Sequence, residues 1–333
     1  MSETKIPRGY KSELNLRETQ VAIKKVKNVF EEMLTKRLNL TRVSAPLFLD
    51  ADSGLNDTVN DTEKPVTFEI TNMGKKNFEV VQSLAKWKRI ACKEYDFKEG
   101  EGIYTDMNAI RRCDQMDNTH SIYVDQWDWE KVISKEDRNI DFFKENVKIV
   151  YNILRKTEQY MSIEYDYIDC ILPKEIFFVT HEELAEMFPD YTREEREYYI
   201  TKAKGAVCIL RSFDDTAERL SIAPDYNDWN MMGKLYVYYP VLDQALKLAS
   251  MGIRVDGTAL KAQLQAAGCE ERAKLPFQKS VIKGELPYTI GGGIGQSRIC
   301  MFFLRKAHIC EVQSSVWPQD AIREMKEAGI SLL

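Results

Sequence analysis

Three polar side chains alternate along one β-rich run of the sequence. The run SIYVDQWDWE (121–130) has the β-branched and aromatic content of a central strand, with Gln126, Asp128 and Glu130 at every second position. Side chains two residues apart point to the same face of a strand, so these three share a face. Because buried charges need partners, such a face is either solvated or the polar floor of a ligand pocket. The run alone leaves both interpretations open.

A basic segment could supply positive charge for an anionic ligand. QSLAKWKR (82–89) places Ser83, Lys86 and Lys88 where a predicted strand meets a predicted helix. Backbone N–H groups at a helix start, together with ammonium groups, can hold a carboxylate. The alternative is a solvated basic helix face.

A glycine-rich segment and three arginines are candidates for a nucleotide site. GGGIGQSR (291–298) lacks the Gly-Lys-Ser/Thr of a phosphate loop, and Gln296 stands where the dinucleotide fingerprint needs glycine. Its glycines still allow a ligand to approach the backbone, and the guanidinium of Arg298 suits phosphate or an adenine face. Arg111 and Arg112, taken separately, are ordinary surface charges. A purely structural glycine turn is the alternative.

The elements that would position these residues are interleaved helices and strands. Apolar residues recur at helical spacing from Asn15 to Leu38, and Asn15 with Glu18 resembles a capping box, which predicts an amphipathic helix. Hairpins without regular βαβ repetition favour an α+β domain centred on a mostly antiparallel sheet. Further predicted elements are a hairpin of VTFEI (66–70) with NFEVVQ (77–82), a helix over 83–95, strands at EIFFVT (175–180), AVCILR (206–211) and KLYVYY (234–239), and a tight turn at 291–295 leading into a buried helix at ICMFFL (299–304).

Composition narrows the function classes. The 333 residues are 44% apolar and 30% charged, which is typical of a globular protein with a large core. The sequence has neither a run of about 20 apolar residues nor a secretory signal, so we expect a soluble cytoplasmic protein without a membrane partner. Seven cysteines without a Cys-x-x-Cys pair and three histidines argue against a disulfide framework and a zinc site. The net charge of -5 lacks the basic surplus of a nucleic-acid-binding protein.

Taken together, the segments resemble one family. The strings FEVVQSLAKWKR, EGIYT with MNAIRR, HSIYVDQWDWEKV, APDYNDW, SMGIRVD and LPYTIGGGIGQSR are similar, in the same order and over nearly the whole chain, to those of the aspartate–ammonia ligases, the ammonia-dependent asparagine synthetases. The resemblance implies the α+β catalytic fold of the class II aminoacyl-tRNA synthetases, with a mostly antiparallel sheet flanked by helices. It also implies a homodimer and a single domain over residues 1–333, without a separate anticodon-binding domain.

The activity implied by the resemblance is the ATP-dependent ligation of aspartate and ammonia. The aspartate β-carboxylate and ATP form a β-aspartyl-adenylate with release of pyrophosphate, and ammonia then attacks the activated carbonyl to give asparagine and AMP. The resemblance assigns substrate binding to Asp57, Ser83, Lys88, Gln126, Asp128, Asp225, Tyr226 and Arg254. It assigns nucleotide binding to Arg111, Asp114, Ser250, Gly293, Gly295 and Arg298, and catalysis to Arg111, Gln126 and Arg298.

The assigned substrate residues have chemically reasonable roles. Asp57 and Asp225 would pair the substrate ammonium, and Lys88 with Ser83 would hold one carboxylate. Arg254 would hold the second carboxylate by a bidentate contact.

Several positions depart from the family pattern. The family normally carries acids where this chain has Lys234 and Lys247, and an arginine where it has Ile222. The Mg²⁺ expected with ATP requires oxygen ligands, so two ammonium groups in place of two carboxylates should exclude one or more metal ions. Ser250 and Asp114 remain as possible oxygen ligands.

Three accounts of these replacements stay open. In the first, the chain is still an amide ligase, and Lys234 and Lys247 supply positive charge to the phosphates in place of metal. In the second, it is a divergent paralogue that acts as a non-catalytic amino-acid-binding or regulatory protein. In the third, it keeps the ligase chemistry but uses a different acid or amine.

Overall fold

The computed structural model describes residues 4–56, 64–211 and 223–333, so Asp57 and Ile222 lie outside the described residues. The helices in these ranges are α1 Leu16–Leu38, α2 Ala85–Glu94, α3 Ile140–Glu164, α4 His181–Met187, α5 Arg193–Lys204, α6 Gly257–Ala266, α7 Pro276–Ile282, α8 Gln296–Phe303 and α9 Gln319–Glu327. The strands are β1 Leu40–Arg42, β2 Phe48–Asp50, β3 Thr67–Glu69, β4 Asn77–Val80, β5 Gly102–Ile110, β6 Tyr123–Val132, β7 Phe177–Thr180, β8 Ala206–Leu210, β9 Asn227–Tyr239, β10 Gln244–Arg254 and β11 Thr289–Gly295.

An eight-stranded sheet organises the fold. Its strand order is β1-β5-β6-β11-β10-β9-β8-β7, and β2, β4 and β3 form a separate three-stranded antiparallel sheet that contains the predicted hairpin. The large sheet is parallel only at its two ends, between β1 and β5 and between β7 and β8. The predicted α+β class with a mostly antiparallel sheet is therefore confirmed.

Helix α1 forms where the sequence predicts it. The Asn15 side chain accepts a hydrogen bond from the Glu18 backbone, and the Glu18 carboxylate accepts one from the Asn15 backbone, so both partners of the capping box are in place. The buried face of the helix includes Phe30, which stacks on Trp127 of β6 with ring centroids 4.6 Å apart. This contact packs the apolar face of α1 against one face of β6.

The two faces of β6 have different environments. Trp127 and Trp129 are fully buried in the core with α1, α3 and α8. The alternating residues Gln126, Asp128 and Glu130 point to the opposite face, as the two-residue period requires. The choice between a solvated face and a pocket floor is thereby settled, because Asp128 and Glu130 are buried.

The predicted glycine turn is wrong, since Gly291 to Gly295 lie in the central strand β11 between β6 and β10. The buried helix after them, α8, is confirmed.

In the part of the chain that the structure describes, no helix has the length and apolar character needed to cross a membrane.

Candidate active site

One cavity of about 600 Å³ opens on the polar face of the large sheet. Its size is typical of small-molecule sites. Its walls include side chains from β6, β9 and β10 and from the segment that joins β5 to β6. The predicted site residues that line it are Ser83, Arg111, Asp114, Gln126, Asp128, Tyr226, Lys234, Lys247, Ser250, Gly293, Gly295, Arg254 and Arg298. The structure thus brings together most of a set that spans over 200 positions of sequence.

Arg254 is held at the end of β10 by the buried carboxylate of Glu130, to which the resemblance assigns no role. Its Nε donates to Glu130 Oε1 at 2.9 Å and its Nη2 to Glu130 Oε2 at 2.6 Å, while its Nη1 donates to Asn227. Burial acts to raise the pKa of Glu130, but Arg254, with Lys88 and Thr289, outweighs burial and lowers the pKa, so the carboxylate stays charged. Three of the five guanidinium N–H groups are engaged in these contacts, which leaves two for a ligand in the cavity.

Lys88 lies behind the cavity wall. The side chain is 1% exposed, its ammonium donates to the Asp128 carboxylate and, at 2.9 Å, to the Trp129 carbonyl, and Glu130 is 3.8 Å away. The ammonium therefore fixes Asp128, which does line the cavity. A direct contact between Lys88 and substrate stays a prediction.

Asp225 is also buried and is not a wall residue of the cavity. Lys86 lies 2.9 Å from its Oδ2, and Gln278 donates to the same oxygen at 2.7 Å. Its Oδ1 is buried, and no described residue donates a hydrogen bond to it. Such an acceptor inside a protein calls for a partner.

The β11 glycines make room for neighbouring side chains. A Cβ at Gly293 would lie 2.1 Å from Gln126 Oε1, and one at Gly291 would lie 2.2 Å from Glu130 Oε2. Any larger residue would displace these groups. The glycines are therefore needed for the polar face of β6, and close approach of a ligand to them stays a prediction.

A β-bulge in β10 brings two polar residues to one face. Lys247 pairs with Tyr236 of β9 and Ser250 with Lys234, with a register shift between Lys247 and Ala249. Residues three apart in a regular strand face opposite ways, but the extra residue of a bulge changes this alternation. Lys247 and Ser250 consequently share the face of Lys234.

The charged neighbours that act most strongly on Lys247 are cations, and Glu197 acts on it more weakly. Enclosure by the cavity lowers the pKa of its ammonium to about 7, with further lowering by Arg298, Lys234 and Arg111. Arg298 donates from Nη1 to the Lys247 carbonyl at 3.1 Å, and burial lowers the pKa of Arg298 as well. This end of the cavity is therefore suited to an anion.

The segment between β5 and β6 adds groups that sequence reasoning did not assign to the site. Asp117 and His120 line the cavity, and His120 Nδ1 lies 2.9 Å from the Asp117 carboxylate. Burial acts to raise the pKa of Asp117, but the hydrogen bond from His120 and its charge lower the pKa to about 2. Thr119 accepts a hydrogen bond from Arg298 Nε through its carbonyl oxygen at 3.1 Å. Neither residue type nor spacing in the sequence indicates these contacts. They become visible only in the folded structure.

The side chains at the cationic end do not fit the expected Mg²⁺. Hard cations take oxygen ligands, usually carboxylates and substrate phosphates. Lys234 and Lys247 present ammonium groups to the cavity, Ser250 offers only a hydroxyl, and Asp114 is the one carboxylate among the predicted oxygen ligands. Within residues 4–56, 64–211 and 223–333, no three His, Cys, Asp or Glu side chains group closely enough to hold a metal ion.

Comparison with solved structures identifies the fold. Asparaginyl-tRNA synthetase from Entamoeba histolytica matches 90% of this chain and 67% of its own, with a TM-score of 0.65 at 12% identity. Asparaginyl-tRNA synthetase from Pyrococcus horikoshii, solved with asparaginyl-adenylate, matches 90% of this chain and 70% of its own, with a TM-score of 0.64 at 12% identity. The predicted class II synthetase fold is confirmed.

Comparison of sequences identifies the family. A family model described as aspartate–ammonia ligase matches residues 17–329. An aspartate–ammonia ligase from Clostridium perfringens is 55% identical, covering 100% of both chains, and one from Fusobacterium nucleatum is 49% identical, covering 98% of this chain and 100% of its own. The chain belongs to the aspartate–ammonia ligase family.

Proposed function

We propose that this protein is an enzyme that uses ATP to join aspartate and ammonia, forming asparagine, AMP and pyrophosphate through a β-aspartyl-adenylate. The observation that carries the proposal is one cavity lined both by an amino-acid set, with Gln126, Asp128 and Arg254, and by the nucleotide arginines Arg111 and Arg298. An adenylating enzyme must place a carboxylate beside an α-phosphate, and this cavity offers partners for both.

The amino-acid end of the cavity supports an acidic substrate with an ammonium group. The two remaining N–H groups of Arg254 suit a carboxylate, and Asp128 supplies negative charge for an ammonium. Asp225, whose buried Oδ1 accepts no hydrogen bond from a described residue, stays a proposed second partner of the substrate ammonium. We propose direct substrate contact for Ser83, Gln126, Asp128, Tyr226 and Arg254.

The reaction needs two transfers. An oxygen of the aspartate β-carboxylate attacks the α-phosphorus of ATP, and the bond from that phosphorus to the bridging oxygen breaks to release pyrophosphate. Ammonia then attacks the acyl carbon, loses a proton, and AMP leaves with the carboxylate oxygen. Arg111 would stabilise negative charge on the α-phosphoryl oxygens, a kind of electrostatic help that is usually a large contribution to catalysis.

Asp57, which lies outside the described residues, stays a proposed partner of the substrate ammonium. Asp114, Ser250, Gly293 and Gly295 stay proposed nucleotide contacts. The resemblance also supports a homodimer, which light scattering of the purified protein tests, a single catalytic domain over residues 1–333 and a cytoplasmic location. The non-catalytic alternative and the use of another acid or amine gain no support from the relatives' names, and both become outcomes of the activity test.

The test is product formation by the purified protein with ATP, aspartate and ammonium chloride. We expect asparagine and AMP in equal amounts. Arg111→Met should reduce the rate at least about a hundredfold, the scale for loss of one transition-state donor. Arg112→Met is the matched control, since Arg112 is the exposed neighbour and does not line the cavity.

Two results would argue against the proposal. Absence of asparagine together with calorimetric binding of aspartate would support a non-catalytic amino-acid-binding protein. Product formation only with another acid or amine would support altered specificity.

A further inference from the structure

Four cationic side chains line the end of the cavity where the nucleotide phosphates would lie. This cation cluster consists of Arg111, Lys234, Lys247 and Arg298. Strands β9 and β10 hold the two lysines on one face through the bulge between Lys247 and Ala249. The backbone carbonyls of Thr119 and Lys247 hold Arg298. The sheet thus positions the two lysines, and backbone carbonyls position Arg298.

The cation cluster is electrostatically costly without a ligand. The neighbours that act most strongly on Lys247 are three cations, and its ammonium loses a proton near neutral pH as a result of burial and these charges. A ligand that carries several negative charges relieves this repulsion. The charge of a triphosphate matches such a cluster better than that of a carboxylate.

Three of the four carboxylates that line the same cavity are already engaged by other groups, and the fourth is Asp114. The engaged pairs are Asp117 with His120 at 2.9 Å, Asp125 with Lys27 at 3.3 Å and Asp128 with Lys88. A divalent metal ion beside Lys234 and Lys247 would meet two ammonium groups where it needs oxygen ligands. The two ammonium groups at this position do not suit a metal ion. They suit an anion.

We propose that Lys234 and Lys247 bind the β- and γ-phosphates of ATP directly, so that the nucleotide enters this site without a divalent metal ion between protein and phosphates. The inference rests on the proposed function for the identity of the nucleotide. The two lysines replace the charge of a metal ion on the pyrophosphate leaving group, while the bonds made and broken in the reaction stay the same. An ammonium acts here as a point charge with three donors.

The test is ATP binding, measured by titration calorimetry in EDTA and again with excess Mg²⁺. Wild-type protein should bind ATP in EDTA, and Mg²⁺ should weaken binding because it neutralises charge that the lysines would contact. Lys234→Met and Lys247→Met should each weaken binding in EDTA about tenfold to a hundredfold, the scale of one hydrogen bond to a charged group. AMP lacks both outer phosphates, so its affinity should be unchanged by these variants.

Two further variants make the test independent of folding. The pair Lys234→Arg with Lys247→Arg keeps the charge and should keep metal-free binding. The pair Lys234→Asp with Lys247→Glu should reverse the metal effect, so that Mg²⁺ now strengthens binding. Lys261→Met is a matched control, because Lys261 lies exposed on α6 away from the cavity.

The outcomes separate this inference from the proposed function. Wild-type ATP binding that requires Mg²⁺ overturns the inference, even if asparagine is formed. Metal-free ATP binding without any ligase activity supports the inference and removes the proposed function. Failure of ATP to bind under either condition removes both.

Discussion

Lys247 should take up a proton when ATP binds. Its pKa in the free protein is about 7 against an ordinary value of 10.5, so at pH 8.0 about one Lys247 side chain in eleven is protonated. A bound polyphosphate favours the charged form and returns the pKa toward its ordinary value. Lys247 should therefore take up about 0.9 proton on binding at pH 8.0, and only about 0.1 at pH 6.0, where its ammonium is already mostly charged.

Calorimetry in buffers of different ionisation enthalpy measures this uptake. ATP is suitable at pH 8.0 because a terminal phosphate, with a second pKa of about 6, is then fully deprotonated and contributes no proton of its own. The measurement is made in EDTA and repeated with Lys247→Met, which should abolish the uptake, and with Lys261→Met, which should not. Equal uptake in wild type and Lys247→Met would refute the reasoning, since another group would then be responsible.

Three further predictions follow from the packing around the cavity. Lys247→Met should raise the free energy of unfolding at pH 8.0 by about 3 kcal/mol. The unfolded chain binds more protons than the folded one between pH 7 and 10.5, so the buried lysine costs about 1.36 kcal/mol for each of the 2.5 pH units between 8.0 and 10.5. Urea unfolding measures this free energy, and a wild-type value that stays constant from pH 7 to 10.5 would contradict the prediction. Glu130→Gln should lower the free energy of unfolding by about 3–5 kcal/mol, since it leaves Arg254 buried without its carboxylate. An unchanged urea midpoint would show that the ion pair contributes nothing to stability. Gly293→Ala should displace Gln126 and reduce the rate of asparagine formation at least about tenfold, because misplacing a catalytic group by about 1 Å has effects of this size or larger. Full activity of the variant would mean that the position of Gln126 does not matter for catalysis.

Local patterns predicted the elements that local physics determines. The capping box and apolar spacing located α1, and the two-residue period of β6 separated Trp127 and Trp129 from Gln126 and Asp128. These patterns need only the chain's own periodicity, so no partner strand is required to interpret them.

The glycines of β11 show why a local pattern can mislead. Glycine usually favours turns, and the sequence Gly-Gly-Gly therefore predicts one. In the structure, Gly291 and Gly293 lie opposite Glu130 and Asp128 in the register, and their missing side chains leave space for Glu130 and Gln126. That reason lies on a neighbouring strand about 160 residues earlier in the chain, so a local pattern cannot supply it.

The cationic end of the site also depends on long-range structure. Resemblance to the family named Lys234 and Lys247, but a regular strand would direct Lys247 and Ser250 to opposite faces. The bulge in β10 and its register with β9 place them together. The ion pair of Glu130 with Arg254 likewise joins two strands, β6 and β10, that are separated by β11 in the sheet. The two-residue period predicts the face on which Glu130 lies, but it does not predict the partner.

The most direct test of the account follows one oxygen atom through the reaction. Aspartate labelled with ¹⁸O in its β-carboxylate is incubated with ATP, ammonium chloride and the purified protein, and the products are analysed by mass spectrometry. Attack of the carboxylate on the α-phosphorus predicts one ¹⁸O in AMP for each asparagine formed, and none in pyrophosphate. Asparagine formed with unlabelled AMP, or with label in a phosphate product, would contradict adenylation in this cavity.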